Sequence, residues 1–245
     1  MAQYTRNLTS CDGNKISVIP FGIDCNIFSP SPSLRDENYI TIGTVKTLAF
    51  KYGIDTLIRA FTILHANLEH TQPEIASKLR LIIVGGRPES GKIDQTDFLK
   101  QLCFDLNIQK QVIFAGQVSH EAVPLWLNRF DIYAALSRDN SESFGVAILE
   151  ASACEIPVVV SDVGGLPEVV DAGKTGFVVP HEDPKSAAKA LEQLILDEDL
   201  RRKMGKAGRK RVLDQYQWKD NLSTMENLYR QVWRSSKDRG RTYNE

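Results

Sequence analysis

Short apolar runs alternate with amphipathic stretches along nearly all of this 245-residue chain, and that alternation restricts its fold more than any other feature. Residues 39–45 (YITIGTV), 81–84 (LIIV), 112–114, 132–136 (IYAAL), 158–161 and 176–179 are short and rich in β-branched residues, so each is read as a buried strand. Between them, residues 53–69 place Ile54, Leu57, Ile58, Phe61 and Leu64 at helical spacing. Further helices are expected over 95–106, 121–130, 144–154, 166–171, 184–196, 198–213 and 218–233. Strands that are apolar throughout and separated by helices predict an α/β chain, a doubly wound parallel sheet with helices on both faces.

The charge balance narrows the function classes. Thirty Lys and Arg face 31 Asp and Glu, a net charge of −1, with 42% apolar residues. That composition excludes a disordered chain and gives no basic surplus for nucleic acid or an anionic membrane. No run approaches the roughly 18 apolar residues of a membrane span. Cys11, Cys25, Cys103 and Cys154 are far apart in sequence, with no CxxC pair, so reduced thiols and a cytoplasmic location are expected. No repeat or low-complexity linker divides residues 16–235, which are read as one domain. Residues 1–15 are polar, and residues 236–245 are read as a frayed tail.

In an open parallel sheet, ligands bind beyond the carboxyl ends of the strands. The loops there are 43–53, 85–92, 115–120, 137–145 and 161–167. The first holds Lys46 and Lys51, whose spacing suits either two solvated ammonium groups or a clamp on a polyanion. Gly85-Gly86 is followed by Arg87-Pro88, which breaks any GxGxxG reading, and Gly91 is the next glycine; the pair reads as a turn. In SESFGVAILE, Glu150 interrupts an apolar helical run, so its carboxylate must face a protein cation or a ligand hydroxyl pair. Gly145 and Val146 lie where the free N–H groups of a helix start can hold phosphate.

Those residues carry a resemblance. Glu142-x7-Glu150, within SESFGVAILEASACEIPVVVSDVGGLPEVV, resembles the signature of the family-four retaining glycosyltransferases of the GT-B fold (glycosyl transferases group 1). VIPFGIDCNIFSP, IGTV…KYGIDTLIRAF, LIIVGG, VIFAGQV, GKTGFVVP and the helix after Trp218 match in the family's order, over roughly residues 16–230.

The resemblance implies a Rossmann-like domain forming one half of a GT-B fold, and a nucleotide diphosphate sugar as substrate. It implies that Glu150 binds the ribose, Glu142 the donor sugar, and the backbone at Phe144, Gly145 and Val146 the diphosphate or the sugar, with Val118 against the base. Lys46 and Lys51 take the cation roles; they keep the family's spacing but sit one residue early relative to Gly53, whose expected cation positions hold Thr47 and Tyr52. The implied reaction is sugar transfer with retention, in which cationic side chains rather than a metal or cofactor neutralise the leaving diphosphate, itself the base.

The acceptor-binding N-terminal domain of such enzymes has no counterpart in these residues. Residues 1–15 are read as its remnant, and the chain as a fragment or half of a split enzyme, with any peripheral membrane contact left to the missing half and no activity expected without it. Two alternatives stay open: a noncatalytic nucleotide-sugar binding or regulatory module, and a sugar-nucleotide epimerase of related fold.

Overall fold

The computed structural model of the chain describes residues 16–87 and 93–241, the last six by backbone only. The expected remnant 1–15, with Cys11, and Pro88 and Gly91 lie outside the described residues. In chain order the elements are β1 (Ile40–Val45), α1 (Ile54–Thr71), α2 (Pro73–Ala76), β2 (Leu79–Val84), α3 (Thr96–Asp105), β3 (Val112–Gly116), α4 (Val123–Leu127), β4 (Ile132–Ala135), α5 (Val146–Ala153), β5 (Val158–Ser161), α6 (Leu166–Val169), β6 (Gly176–Val179), α7 (Pro184–Leu196), α8 (Glu198–Gln215) and α9 (Trp218–Arg241). The six strands pair in parallel in the order β3-β2-β1-β4-β5-β6.

Period-two side-chain alternation turns this sheet into two cores. Ile42, Leu81, Ile83, Ile132, Ala134 and Val159 point to one face, where α1, α3 and α7 cover them. Ile82, Val84, Tyr133, Ala135, Val158 and Val160 point to the other, under α4, α5 and α8. The α1 stripe is buried as its spacing requires, with Leu57, Ile58, Phe61, Leu64 and Leu68 almost wholly excluded from water. Asp183 and Asp197 cap α7 and α8 by accepting backbone N–H groups, and both helices begin at the residues expected, Pro184 and Glu198.

Several boundaries move for local reasons. The helix expected over 121–130 is a 3-10 turn, His120–Ala122, followed by the five-residue α4. Asn128 closes α4, its amide donating to the Pro124 and Ser29 carbonyls. Gly145 adopts φ 85°, which delays the start of α5 to Val146. Val170 turns extended and ends α6 two residues early. In contrast, α9 continues to Arg241, through the first part of the segment expected to fray. Residues 16–30 form a strap rather than a strand: Ile23 donates to Tyr216 O at 2.7 Å and accepts from Trp218 N at 3.0 Å, tying the strap to the α8–α9 junction.

Replacing Phe61, fully buried in the core on the α1 side of the sheet, leaves a cavity. Phe61→Ala should cost about 3–5 kcal/mol of unfolding free energy in urea titration; a loss under 1 kcal/mol would contradict this packing.

Candidate functional site

The strand order reverses between β1 and β4. Chain leaving β1 turns to one side and chain leaving β4 to the other, opening a crevice at their carboxyl ends. Its walls are the loop 46–53 and the loop 136–145. Backbone bonding extends β1 one residue, Lys46 N donating to Val84 O at 2.9 Å. Gly85 allows this close approach: a Cβ there would lie 1.8 Å from Lys46 O, and one on Gly86 2.6 Å from Gln117 Cβ, so both glycines serve close packing of neighbouring chain.

The second loop is clamped on both sides. Arg138 N donates to Lys51 O at 2.9 Å, and Arg138 Nη2 reaches both Asp55 oxygens at 2.9 Å, fixing the loop to the start of α1. From the other side, Gly165 N donates to Glu142 O at 2.8 Å and Gly164 N to Asn140 Oδ1 at 3.2 Å. Phe144 is wedged between Phe21 and Tyr216, ring centroids 5.4 and 6.0 Å away. Glu142 and Gly145 therefore sit in a segment with little freedom.

Between the loops lies a cavity of about 440 Å³, with Lys46, His120, Glu142, Gly145, Val146 and Glu150 among its walls. Lys46 Nζ lies 3.1 Å from both Glu142 oxygens, the two side chains only 13% and 15% exposed. Glu150 is 8% exposed; its backbone carbonyl accepts from Cys154 N at 3.2 Å, while among the described residues no hydrogen bond or ion pair holds its carboxylate. Burial pushes its carboxyl above the usual range, opposed by the nearby charges of His120 and Lys46. The first turn of α5 opens on the cavity without a side-chain cap. Uncapped N–H groups, a cation and an unsatisfied buried carboxylate make a site for a ligand with an anionic group beside hydroxyls.

The structure thus gathers Lys46, Glu142, Phe144, Gly145, Val146 and Glu150 around one cavity. Lys51 and Val118 do not line it. Lys51 Nζ lies 4.9 Å from the centroid of the Tyr52 ring, and Val118 packs half-buried against the core under α5. The sequence weighed an ion pair for Glu150, but the lysine that lines the cavity pairs with Glu142 instead. His120, which the sequence did not single out, also borders the cavity, with its ring 5.9 Å from that of Phe28. Its place in the 115–120 loop was the available signal. Among the described residues no group of three or more His, Cys, Asp or Glu could hold a metal ion, Cys25, Cys103 and Cys154 are free thiols, and no helix is long and apolar enough to cross a membrane.

Comparison with known proteins adds the following. The model of the family described as glycosyl transferases group 1 matches residues 28–211. The chain is 30% identical, over 234 residues, to the GDP-mannose-dependent alpha-(1-6)-phosphatidylinositol monomannoside mannosyltransferase of Mycobacterium tuberculosis, covering 89% of this chain and 57% of that protein. The chain spans about half the length of the curated relatives it matches. Among solved structures, sucrose-phosphate synthase from Thermosynechococcus elongatus superposes with a TM-score of 0.79 at 28% identity, covering 89% of this chain and 53% of that one. The C-terminal domain of a group 1 glycosyl transferase from Francisella tularensis gives 0.68 at 24% identity, covering 80% of this chain and 99% of that one.

Because the raised Glu150 carboxyl holds its proton more tightly folded than unfolded, its burial penalty is absent below the ordinary value of 4.5 and grows to full size as pH rises through the native value. Glu150→Gln removes that penalty. The ligand-free variant should therefore be more stable at pH 7, the advantage vanishing below pH 4.5 in pH-resolved denaturation. Destabilisation at pH 7 would mean that Glu150 has a protein cation after all.

Proposed function

The chain belongs to the group 1 glycosyl transferases, and from that premise we propose that it is the donor-binding half of an enzyme that moves a sugar from a nucleoside diphosphate to an acceptor with retention of configuration. The observation that carries the reading is Glu150, a buried carboxylate without a hydrogen bond, in one cavity with Lys46 and the uncapped start of α5. A ribose supplies the hydroxyls that satisfy Glu150, and the diphosphate, one bond further, reaches Lys46 and the α5 amides. The relatives' names point the same way, the mycobacterial protein being named GDP-mannose-dependent.

Each residue then has a task. Lys46, Lys51 and the α5 amides bear the charge that builds on the departing diphosphate, the main electrostatic demand of the reaction. Glu142 leaves Lys46 and turns to the donor sugar hydroxyls. No nucleophile from this chain is invoked: the acceptor hydroxyl attacks from the face the diphosphate leaves, and a leaving phosphate oxygen takes its proton. The ammonium groups do the work that a metal ion does elsewhere, in the cytoplasm, where thiols such as Cys25 remain reduced.

The acceptor is assigned to a partner half of the kind that the relatives' extra length accommodates. Supporting this, α9 exposes Leu222, Met225, Tyr229 and Trp233 at helical spacing, an apolar stripe suited to a second domain. Alone, the chain binds donor and transfers nothing. A noncatalytic binding module shares the same cavity, and turnover by the chain joined to its partner half separates the two.

Titrating UDP and GDP into the 245-residue chain by calorimetry tests the donor reading. Lys46→Ala and Lys51→Ala should each weaken binding by about 1.5–3 kcal/mol, the worth of hydrogen bonds to charged groups. Unchanged affinity in both would reduce these lysines to solvated charges.

A further inference from the structure

In the loop after β1 one residue, Tyr52, separates the second lysine from Gly53. Its ring centroid lies 4.6 Å from Lys46 Nζ and 4.9 Å from Lys51 Nζ. Both distances fall inside the roughly 6 Å over which the negative face of a ring attracts an ammonium group. The ring is itself fixed. Tyr52 packs half-buried against the core beneath α1, its N–H donates to Ala49 O at 3.0 Å, and Gly53 closes the turn by donating to Phe50 O at 3.2 Å.

Two free lysines in one loop would spread apart by repulsion and by the rotamer entropy that each long side chain loses when held still. A shared ring opposes both tendencies before any ligand arrives. The contact differs in kind from the Lys46–Glu142 pair. A carboxylate occupies the ammonium hydrogens that a phosphate oxygen needs, so Glu142 must yield to the ligand. The ring attracts the charge through its quadrupole and leaves N–H donors for the phosphate. Tyr52 can therefore hold Lys46 while its other partner is exchanged.

We propose that Tyr52 is a positioning residue for the diphosphate group, holding the ammonium groups of Lys46 and Lys51 against one ring in the loop after β1; this rests on the donor-site reading above.

The test compares UDP and GDP with uridine and guanosine, which lack phosphate, on the full 245-residue chain. Tyr52→Leu should weaken diphosphate binding about five- to thirtyfold, as expected for two ring contacts of surface strength, and leave nucleoside binding unchanged. Tyr52→Phe, which keeps the ring, should restore affinity to within about twofold. Fluorinated phenylalanines at position 52, which keep the shape and drain the ring face, should weaken binding stepwise, and they serve equally if the leucine variant misfolds. Without ligand, the ε-methylene protons of both lysines should show upfield ring-current shifts that Tyr52→Leu abolishes.

Normal diphosphate affinity in Tyr52→Leu, alongside a loss in Lys46→Ala, would overturn the Tyr52 assignment and leave the donor reading standing. Equal weakening of nucleosides and diphosphates, a flat fluorination series, or absent lysine shifts would also overturn it. Failure of the unaltered chain to bind either UDP or GDP would bring down the donor reading and this one together.

Discussion

Everything in the site depends on the parallel pairing of β1 with β4. Ile42 lies opposite Ile132 and Gly43 opposite Tyr133, so the two central strands end level while their connections run to opposite sides. Backbone hydrogen bonds fix the width of the gap thus opened, independently of the side chains later hung in it. The pairing is also tightly specified: a Cβ at Gly43 would lie 2.3 Å from the Phe130 ring, which fills the space below. Lys46 and Glu142, 96 residues apart, come within 3.1 Å because each follows one of these two strands.

The charges in the cavity form an unfinished set. One lysine is near two carboxylates, and geometry gives its hydrogen bonds to Glu142, leaving Glu150 with only the more distant charges of Lys46 and His120 against its desolvation. A buried carboxylate without a donor is costly and is kept only where something compensates it from outside. The arrangement is consistent with a protein whose resting state is locally unfavourable so that its liganded state is not, a pattern common at functional sites.

The sheet was legible because its inner strands β1, β2, β4 and β5 are buried on both sides and its helices on one, so burial imposes two distinct periods on the sequence; the edge strand β3 departs from its reading as buried, with Ile113 exposed where no further strand covers it. β5 and β6 needed nothing else to be found to the residue. What periodicity cannot register is a single backbone angle or a single amide. Gly145 moves the start of α5, and Asn128 closes α4, through one residue each. In the site, Glu150 stood out because it breaks an apolar run. Tyr52 and His120 did not, since aromatic residues and isolated histidines occur in any loop and only the fold shows what they face. The division of Lys46 between two glutamates was likewise invisible, because it depends on a contact across 96 residues.

The strap at residues 16–30 and the root of α9 are held together by the bonds Ile23 makes to Tyr216 and Trp218, and Phe21, two residues away on the strap, lies against Phe144 at the cavity wall. In mechanical terms α9 is a lever with its fulcrum beside the site. Its 24 residues reach about 36 Å at 1.5 Å per residue, so a swing of about 5° at the root moves the tip by about 3 Å. Its root is thus tied by two backbone bonds to a strap whose Phe21 ring lies 5.4 Å from that of Phe144 at the cavity wall.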